Sequence, residues 1–317
     1  MKISIDGGSL IRSESNKYGN QIVAANLINA LLKNDTNNEY TVYKNPSTFW
    51  KISTAIAEYK NKKDIFLALN QYIPAVHPAN VLSFSHGLSF HFFPELYPDS
   101  ASKMERQVTH MIRHSSRIVV SSEKVAKEFK NKYGYSKTIV IPFGIPNDMV
   151  SVSSKRKKGT YFMFVGMNHP IKNVEFVLKA FSSFKKMKTY ENYSLLMVGN
   201  FPNTMNGNGV VVKSTIDRRE LKKLYRNALA YLSASHYESF NLPVLEALSQ
   251  ECPVIGLSSA IIPELNKYVD IVNTEASFVK QMVSHSIHDH ETQRYELLEM
   301  FSWDSYAMRV ISLYDSL

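Results

Sequence analysis

Residues 228–256 restrict the possible folds most, because they encode a strand, a loop, a helix and a second strand in direct succession. The runs 228–232 and 253–256 are short and apolar, as in buried strands, and 242–248 has helical periodicity with Pro243 in its first turn. This order predicts a βαβ unit, in which ligands bind at the carboxyl ends of strands and near helix N-termini. Two carboxylates, Glu238 and Glu246, bracket that place.

The letters of this stretch also follow a known pattern. Residues 238–255 read E-S-F-N-L-P-V-L-E-A-L-S-Q-E-C-P-V-I. They resemble the donor-site signature of the family 4 retaining glycosyltransferases (glycosyl transferases group 1), which is close to E-G-F-G-L-P-x-x-E-A-x-x-x-G-x-P-V-I. The chain departs from it at Ser239, Asn241 and Glu251, where the family has glycine. Asn accepts a positive φ more readily than most residues, whereas Ser239 and Glu251 bear on how closely the backbone approaches a phosphate. The alternative is an ordinary βαβ unit with solvated glutamates.

A second resemblance begins the second half of the chain. Residues 161–173, Y-F-M-F-V-G-M-N-H-P-I-K-N, resemble the family's V-G-R-x-x-x-x-K-N. Lys172 matches the lysine that neutralises the donor diphosphate, and Met167 occupies the arginine position, so one bidentate partner is missing. The resemblance places Glu246 on the ribose hydroxyls and Glu238, as a catalytic residue, near the donor sugar. The donor-binding residues that it implies are Gly166, Asn168, Lys172, Ser239, Phe240, Asn241, Leu242 and Glu246.

Two segments of the first half resemble the same family. G-N-Q-I-V-A-A-N-L-I-N-A-L, from Gly19, aligns with G-x-G-R-Y-x-x-N-L-x-x-A-L and implies that Gly8 and Gly19 belong to a loop facing the donor phosphate and the acceptor. A plain turn glycine is the alternative for Gly19. S-H-G-L-S-F-H-F-F-P-E-L-Y-P, residues 85–98, resembles H-D-L-x-x-x-x-x-P-E-x-x-P. This makes His86 the second predicted catalytic residue, approaching the sugar, with a structural histidine as the alternative.

The resemblance implies an α/β chain of the GT-B fold, with two Rossmann-like doubly wound domains facing across a cleft. A length of 317 residues agrees with two domains of about 150 residues each. We expect an N-terminal acceptor-side domain at 1–150 and a nucleotide-sugar domain at 151–300, with a Ser/Lys-rich linker at 150–160. Residues 301–317 carry the family's closing F-S-W pattern and form a helix that packs back towards the first domain.

Composition favours a cytoplasmic protein. There is one cysteine, no apolar signal-peptide core at the start and no apolar run near 18 residues. The net charge of +9 is uneven: residues 103–137 hold nine Lys and Arg against three Glu. This stretch is either a solvated helical face or a contact with the inner membrane surface or a phosphorylated acceptor. No RRM, KH, zinc-finger or helix-turn-helix pattern supports a nucleic-acid partner.

The resemblance implies retaining transfer of a sugar from a nucleotide-sugar donor to a glycan or lipid-linked acceptor, and we expect no cofactor or metal. Asp289, in I-H-D-H, has neither the strand nor the loop context of a metal site. Two alternatives stay open: a non-catalytic nucleotide-sugar-binding subunit, and a GT-B phosphorylase or epimerase. The sequence leaves open the sugar, the base, the linkage, the acceptor, the oligomeric state and the effect of Met167 on activity.

Overall fold

The chain forms two compact units. The computed structural model describes residues 1–11, 19–44, 49–150, 157, 159–214, 216–284 and 290–317. One unit comprises Met1–Gly144 with Phe301–Leu317, and the other comprises Ile145–Met300. The domain boundaries at residues 150 and 300 stay predictions from the sequence. Most of the predicted linker, and also Asp289, lie outside the described residues.

A six-stranded parallel sheet forms the centre of the first unit, in the order β2-β1-β3-β4-β5-β6. The chain passes from β1 to β2 on one side of β1, and from β2 to β3 on the other side of β1. The strand order therefore reverses between β1 and β3. Its strands are β1 (Lys2–Asp6), β2 (Glu39–Tyr43), β3 (Ile65–Ala68), β4 (Asn80–Phe84), β5 (Arg117–Val120) and β6 (Thr138–Val140).

Helices connect successive strands of this unit, except that a loop joins β3 to β4. Ser122 caps α5 by accepting a hydrogen bond from the Val125 amide, and Gly134 ends this helix in the left-handed conformation. The helices are α1 (Gly19–Asn34), α2 (Trp50–Lys60), α3 (Ser89–Phe92), α4 (Ala101–His114) and α5 (Glu123–Tyr133).

The last helix of the chain, α11 (Trp303–Ile311), packs on α1 within the first unit. The Phe143 ring stacks on Trp303, with 6.1 Å between ring centroids. Lys33 Nζ lies 2.6 Å from Asp304 Oδ2. Gly144 is required here, because a Cβ would lie 2.6 Å from the Trp303 amide nitrogen. Apolar burial by α11 therefore fixes the end of the chain to the first unit.

The second unit holds another six-stranded parallel sheet, in the order β12-β11-β10-β7-β8-β9. The order reverses between β7 and β10, and ligands of open α/β sheets bind at such a switch point. Two six-stranded parallel sheets confirm the predicted α/β class. The strands are β7 (Tyr161–Val165), β8 (Ser194–Val198), β9 (Val210–Lys213), β10 (Tyr231–Ser233), β11 (Val254–Leu257) and β12 (Asp270–Val272).

In the described part of the second unit, five helices accompany this sheet. Asp217 caps α7, because its Oδ1 accepts a hydrogen bond of 2.7 Å from the Glu220 amide. Sequence reasoning did not identify α9 and α10. The helices are α6 (Val174–Lys185), α7 (Arg218–Asn227), α8 (Leu242–Ser249), α9 (Glu275–Ser284) and α10 (His290–Met300). Across the described part of both units, no helix is long and apolar enough to cross a membrane.

Candidate functional site

The second unit places two predicted site loops at its switch point. Gly166 follows β7, and residues 234–240 follow the neighbouring β10. The Gly166 amide donates a 3.0 Å hydrogen bond to the Val198 carbonyl, which fixes the start of the first loop. A Cβ on Gly199, whose φ is +144°, would lie 1.8 Å from the Gly166 carbonyl oxygen. Gly199 is thus essential to this loop, and sequence reasoning missed it because it lies on a different strand.

The two loops meet at an ion pair. Lys172 Nζ lies 2.6 Å from Glu238 Oε1, and both side chains are largely buried. Ser235 Oγ donates a 2.7 Å hydrogen bond to the same carboxylate oxygen. The His236 amide donates to the Ile171 carbonyl at 2.9 Å, so the backbones are joined as well. The structure therefore brings together the predicted diphosphate-binding lysine and the predicted catalytic glutamate.

Met167 and Asn168 extend into solvent beside this pair. Met167 is 45% exposed, although it is apolar, and Asn168 is exposed too. A thioether cannot form a charge-assisted hydrogen bond with a phosphate. Lys172 is therefore the cation that the family pattern retains in this loop.

The helix α8 begins at the same edge, with Asn241 as its N-cap residue. Asn241 has φ +71°, and its Nδ2 donates hydrogen bonds of 2.9 Å to Ser233 Oγ and to the Ala260 carbonyl. Phe240 and Leu242 are buried and anchor the turn, whereas Ser239 is half-buried. The backbone therefore keeps the left-handed conformation that glycine would adopt here, and the asparagine amide stabilises it.

The position of Glu251 corrects one expectation. Glu251 lies beyond the carboxyl end of α8, so it has no bearing on a phosphate at the amino end. Its φ is +57°, and Arg226 Nη1 lies 2.5 Å from its Oε2. The glycine of the family pattern is replaced here by a residue in the same backbone conformation, held by an ion pair.

Asn241 gives a stability prediction. We expect Asn241→Ala to lower the free energy of unfolding by about 2–4 kcal/mol. The change removes two buried hydrogen bonds and leaves an alanine, which disfavours positive φ, in the left-handed conformation. Asn241→Gly loses the same hydrogen bonds, but glycine adopts a positive φ without strain. Its loss of unfolding free energy should therefore be about 1–2 kcal/mol smaller than that of Asn241→Ala. Urea denaturation of the two variants measures this difference. Equal stability of the two variants would contradict it.

Glu246 is buried in α8 and already has protein partners. Its Oε1 lies 2.8 Å from Arg218 Nη2, and its Oε2 accepts a 3.3 Å hydrogen bond from the Tyr225 hydroxyl. Arg218 Nε in turn lies 2.6 Å from Asp148 Oδ2. Burial raises the pKa of Glu246, and the Arg218 guanidinium opposes that rise. Burial also disfavours the charged form of Arg218, but Glu246 and Asp148 raise its pKa above the ordinary value.

Sequence reasoning missed Arg218 and Asp148. Arg218 is the first residue of α7, directly after the N-cap residue Asp217. The register that would bring Arg218 to Glu246 depends on tertiary packing of α7 on α8, which no local pattern gives. Glu246 is therefore held by partners other than Lys172.

The first unit holds His86, Gly8 and Gly19. His86 follows β4 and is half-buried, and its Nε2 lies 2.8 Å from the Leu69 carbonyl oxygen. Since a carbonyl only accepts, Nε2 carries the proton and Nδ1 is the acceptor nitrogen. Burial lowers the pKa of His86, and the hydrogen bond to Leu69 works against that shift. His86 is therefore a neutral imidazole with a defined tautomer.

A buried carboxylate accompanies the glycines of this unit. Asp6 ends β1, and its side chain accepts hydrogen bonds from the Gly8 amide at 2.9 Å and from the Asn70 amide at 3.1 Å. Burial raises the pKa of Asp6 despite these bonds. Gly19 begins α1 and is exposed, with open space where a Cβ would lie. Gly8 is thus held by Asp6, whereas no packing constraint explains Gly19.

Chemistry without a metal or cofactor stays a prediction. In the ranges that the structure describes, no group of three or more His, Cys, Asp or Glu side chains is arranged to hold a metal ion.

Part of the chain matches a known protein family. Residues 147–270 match the model of the family described as glycosyl transferases group 1. The chain is 26% identical over 168 residues to a probable sucrose-phosphate synthase of Thermosipho melanesiensis, covering 45% of this chain and only 38% of that protein. It is 22% identical to the O-antigen chain mannosyltransferase B of Escherichia coli, over 82% of this chain and 76% of that protein.

Solved structures agree on the fold. A sucrose-phosphate synthase from Thermosynechococcus elongatus superposes with a TM-score of 0.78 at 14% identity, covering 99% of this chain and 98% of that one. An Anabaena protein, HepE, solved with UDP and glucose, superposes with a TM-score of 0.72 at 12% identity, covering 100% and 99%. These superpositions show that the whole chain has the GT-B fold, and the segment 147–270, which is most of the second unit, matches the glycosyl transferases group 1 family.

Proposed function

We propose that this chain is a retaining glycosyltransferase that moves a sugar from a nucleotide-sugar donor to a hydroxyl of a glycan or lipid-linked acceptor. The observation that carries the proposal is the largely buried Lys172–Glu238 pair at the switch point beside the N-terminus of α8. The names of similar proteins support surface polysaccharide or glycoconjugate synthesis: an O-antigen mannosyltransferase and a lipopolysaccharide enzyme, WaaG.

The chemistry requires stabilisation of a departing diphosphate. The bond between the anomeric carbon and the phosphate oxygen breaks, and a bond from that carbon to the acceptor oxygen forms on the same face. The acceptor proton passes to the departing phosphate oxygen. Lys172 and the positive end of the α8 helix dipole supply the charge that favours this departure. Charged groups in a largely buried setting act more strongly than they would in water.

The remaining residues take positioning roles in this proposal. Glu238 lies near the donor sugar, and Glu246 accepts hydrogen bonds from the ribose hydroxyls. His86 is neutral with Nδ1 as acceptor, so it contacts a sugar hydroxyl that donates. Gly166, Asn168 and residues 239–242 surround the donor, while Gly8 and Gly19 face the phosphate and the acceptor.

We further propose a metal-independent, cofactor-free enzyme at the inner face of the cytoplasmic membrane, with residues 103–137 towards anionic lipid. Helices α4 and α5 support this, because most of their basic side chains are exposed. Clusters of Lys and Arg are attracted to anionic membrane surfaces. Within residues 103–137, the exposed basic side chains are Lys103, Arg106, Arg113, Lys127, Lys130, Lys132 and Lys137.

The decisive experiment is incubation of the full chain with a panel of nucleotide sugars, with and without glycan acceptors. Release of nucleoside diphosphate identifies the donor, and NMR of the product gives the anomeric configuration. Product with the configuration of the donor supports the proposal. Inverted product contradicts the retaining mechanism, and binding without release favours the non-catalytic subunit.

Met167 provides a prediction about the same site. Met167→Arg is expected to leave turnover unchanged or to raise it by up to about tenfold, because one added charge-assisted hydrogen bond contributes about 1.5 kcal/mol. Steady-state turnover with the best donor measures this. Met187→Arg is the matched control, since Met187 is also partly exposed in the second unit but lies beyond the end of α6.

The outcome also distinguishes enzyme from inactive relative. If the parent turns over no donor and Met167→Arg gains activity, the chain is a nucleotide-sugar-binding protein that lost its activity with the arginine. A Met167→Arg variant with much lower turnover than the parent would contradict the assignment of this loop to the diphosphate.

A further inference from the structure

Helix α2 of the first unit has its polar side inward. Thr54 and Glu58 are both 2% exposed, although these residue types usually face solvent. The Glu58 carboxylate is fixed there by a 2.7 Å hydrogen bond from the Tyr43 hydroxyl on β2. The buried side of α2 is therefore anchored by hydrogen bonding, and its orientation is well defined.

The outward side of α2 is apolar. Phe49, Ile52, Ile56 and Tyr59 are 67%, 59%, 50% and 73% exposed. Their spacing of three, four and three places all four on one side of a helix. We call these four residues the apolar face of α2. A single exposed apolar residue is ordinary, but a contiguous set on one helix marks an interaction surface.

A neighbouring loop enlarges this surface. Together with Tyr72, Ala75 and Val76, the helix borders an open groove of about 400 Å³. Lys51 Nζ lies 4.9 Å from the centre of the Tyr72 ring, so a cation borders the groove. The apolar area thus continues from the helix onto the loop.

The charges around the apolar face are basic. Lys51 and Lys60 on α2 and Lys62 just after it are all exposed. The helix has a single acidic residue, Glu58, and it is buried. Helix α4 adjoins the same loop, since Gln107 Nε2 donates a 3.2 Å hydrogen bond to the Gln71 carbonyl. An apolar face with a lysine border is typical of helices that lie in the surface of an anionic bilayer.

We propose that α2 docks the protein on an anionic lipid bilayer by inserting its apolar face between the headgroups, with the three lysines on lipid phosphates. A second copy of the chain fits less well, because self-association would bring the same lysines together. This inference concerns a surface other than residues 103–137 and does not depend on the proposed function.

The first test removes apolar area without changing charge. Binding of the full-length Ile52→Gln/Ile56→Gln variant to phosphatidylcholine vesicles with and without phosphatidylglycerol is compared with the parent by sedimentation. We expect binding to the anionic vesicles to weaken by about tenfold or more, since two aliphatic side chains lose burial. Leu32→Gln, at an exposed leucine on α1, is the matched control and should bind like the parent.

The second test reads insertion directly. Cys252 is the only cysteine and is fully buried, so Ile56→Cys and Leu32→Cys can each be labelled selectively with an environment-sensitive fluorophore. Anionic vesicles should shift the emission of the Ile56→Cys probe to the blue and leave the Leu32→Cys probe unchanged.

Three results would overturn the proposal. They are a parent that does not bind anionic vesicles, a double variant that binds them as well as the parent, and a lipid-free dimer that the double variant loses. The last result would assign the apolar face to a second copy. Donor turnover without vesicles is read separately, so failure here leaves the proposed activity standing and the reverse also holds.

Discussion

Lys172→Ala is expected to reduce turnover with the best nucleotide-sugar donor by about 10²–10³-fold, the effect of removing one preorganised stabilising group from an active site. Lys172 lies 2.6 Å from Glu238 in a largely buried pair, and Met167 occupies the position of the family's arginine. The departing diphosphate would then lose the one cation that the family pattern retains in this loop. Steady-state kinetics measure the loss, and thermal unfolding checks that the variant is folded.

Binding measurements separate this role from a structural one. Without Lys172, affinity for nucleoside diphosphate should fall more than affinity for the nucleoside, because only the diphosphate carries the charge that the lysine neutralises. Lys179→Ala is the matched control, since Lys179 forms a 2.7 Å ion pair with Glu275 in the same unit but is well exposed. It should leave turnover unchanged. A Lys172→Ala variant that turns over like the parent would disprove the charge assignment.

The sequence could place Lys172 and Glu238 at one edge of a sheet because both residues follow strands. Both residues come shortly after apolar runs, and the carboxyl ends of neighbouring parallel strands lie at one edge of a sheet. The loop conformation was also within reach at Asn241, because a residue tolerant of positive φ stands where the family has glycine. The two-sheet architecture was implied by the family resemblance, and the two six-stranded parallel sheets confirm it.

The environment of Glu246 could not be predicted in the same way. Its partners, Arg218 and Tyr225, come from α7 and meet it only through the packing of α7 on α8. Sequence spacing orders residues along one helix, but it does not give the register between two helices. The exposure of the apolar side of α2 has a related cause, because periodicity identifies the two sides of a helix but not which of them packs on the sheet.

The Glu246–Arg218 pair gives the second large prediction, on stability. Breaking a buried ion pair leaves a charge without compensation, which costs about 3–5 kcal/mol. Arg218 is 25% exposed and keeps Asp148, so Glu246→Gln should lower the free energy of unfolding by only about 2 kcal/mol. Arg218→Met leaves Glu246 buried with the Tyr225 hydroxyl and should cost about 3 kcal/mol. Urea denaturation measures both variants.

The double variant decides whether this cost belongs to the pair. Glu246→Gln/Arg218→Met removes both charges together, so its loss of stability should be smaller than the sum of the single losses by at least about 1 kcal/mol. Losses that add would mean that the two side chains act independently, despite their 2.8 Å separation.

Nucleotide affinity then tests the proposed second role of Glu246, because the pair and the ribose compete for the same carboxylate. In a folded Glu246→Gln variant, calorimetry should find nucleoside diphosphate bound about 1–3 kcal/mol more weakly, since a neutral amide replaces a charged acceptor. Arg218→Met tests the same competition by removing the arginine. It frees Oε1 of Glu246 for the ribose, but burial then favours the protonated form of that carboxyl group. Affinity in that variant should therefore rise with pH more steeply than in the parent. If Glu246→Gln binds nucleoside diphosphate as tightly as the parent, Glu246 is only a structural partner of Arg218 and does not contact the ribose.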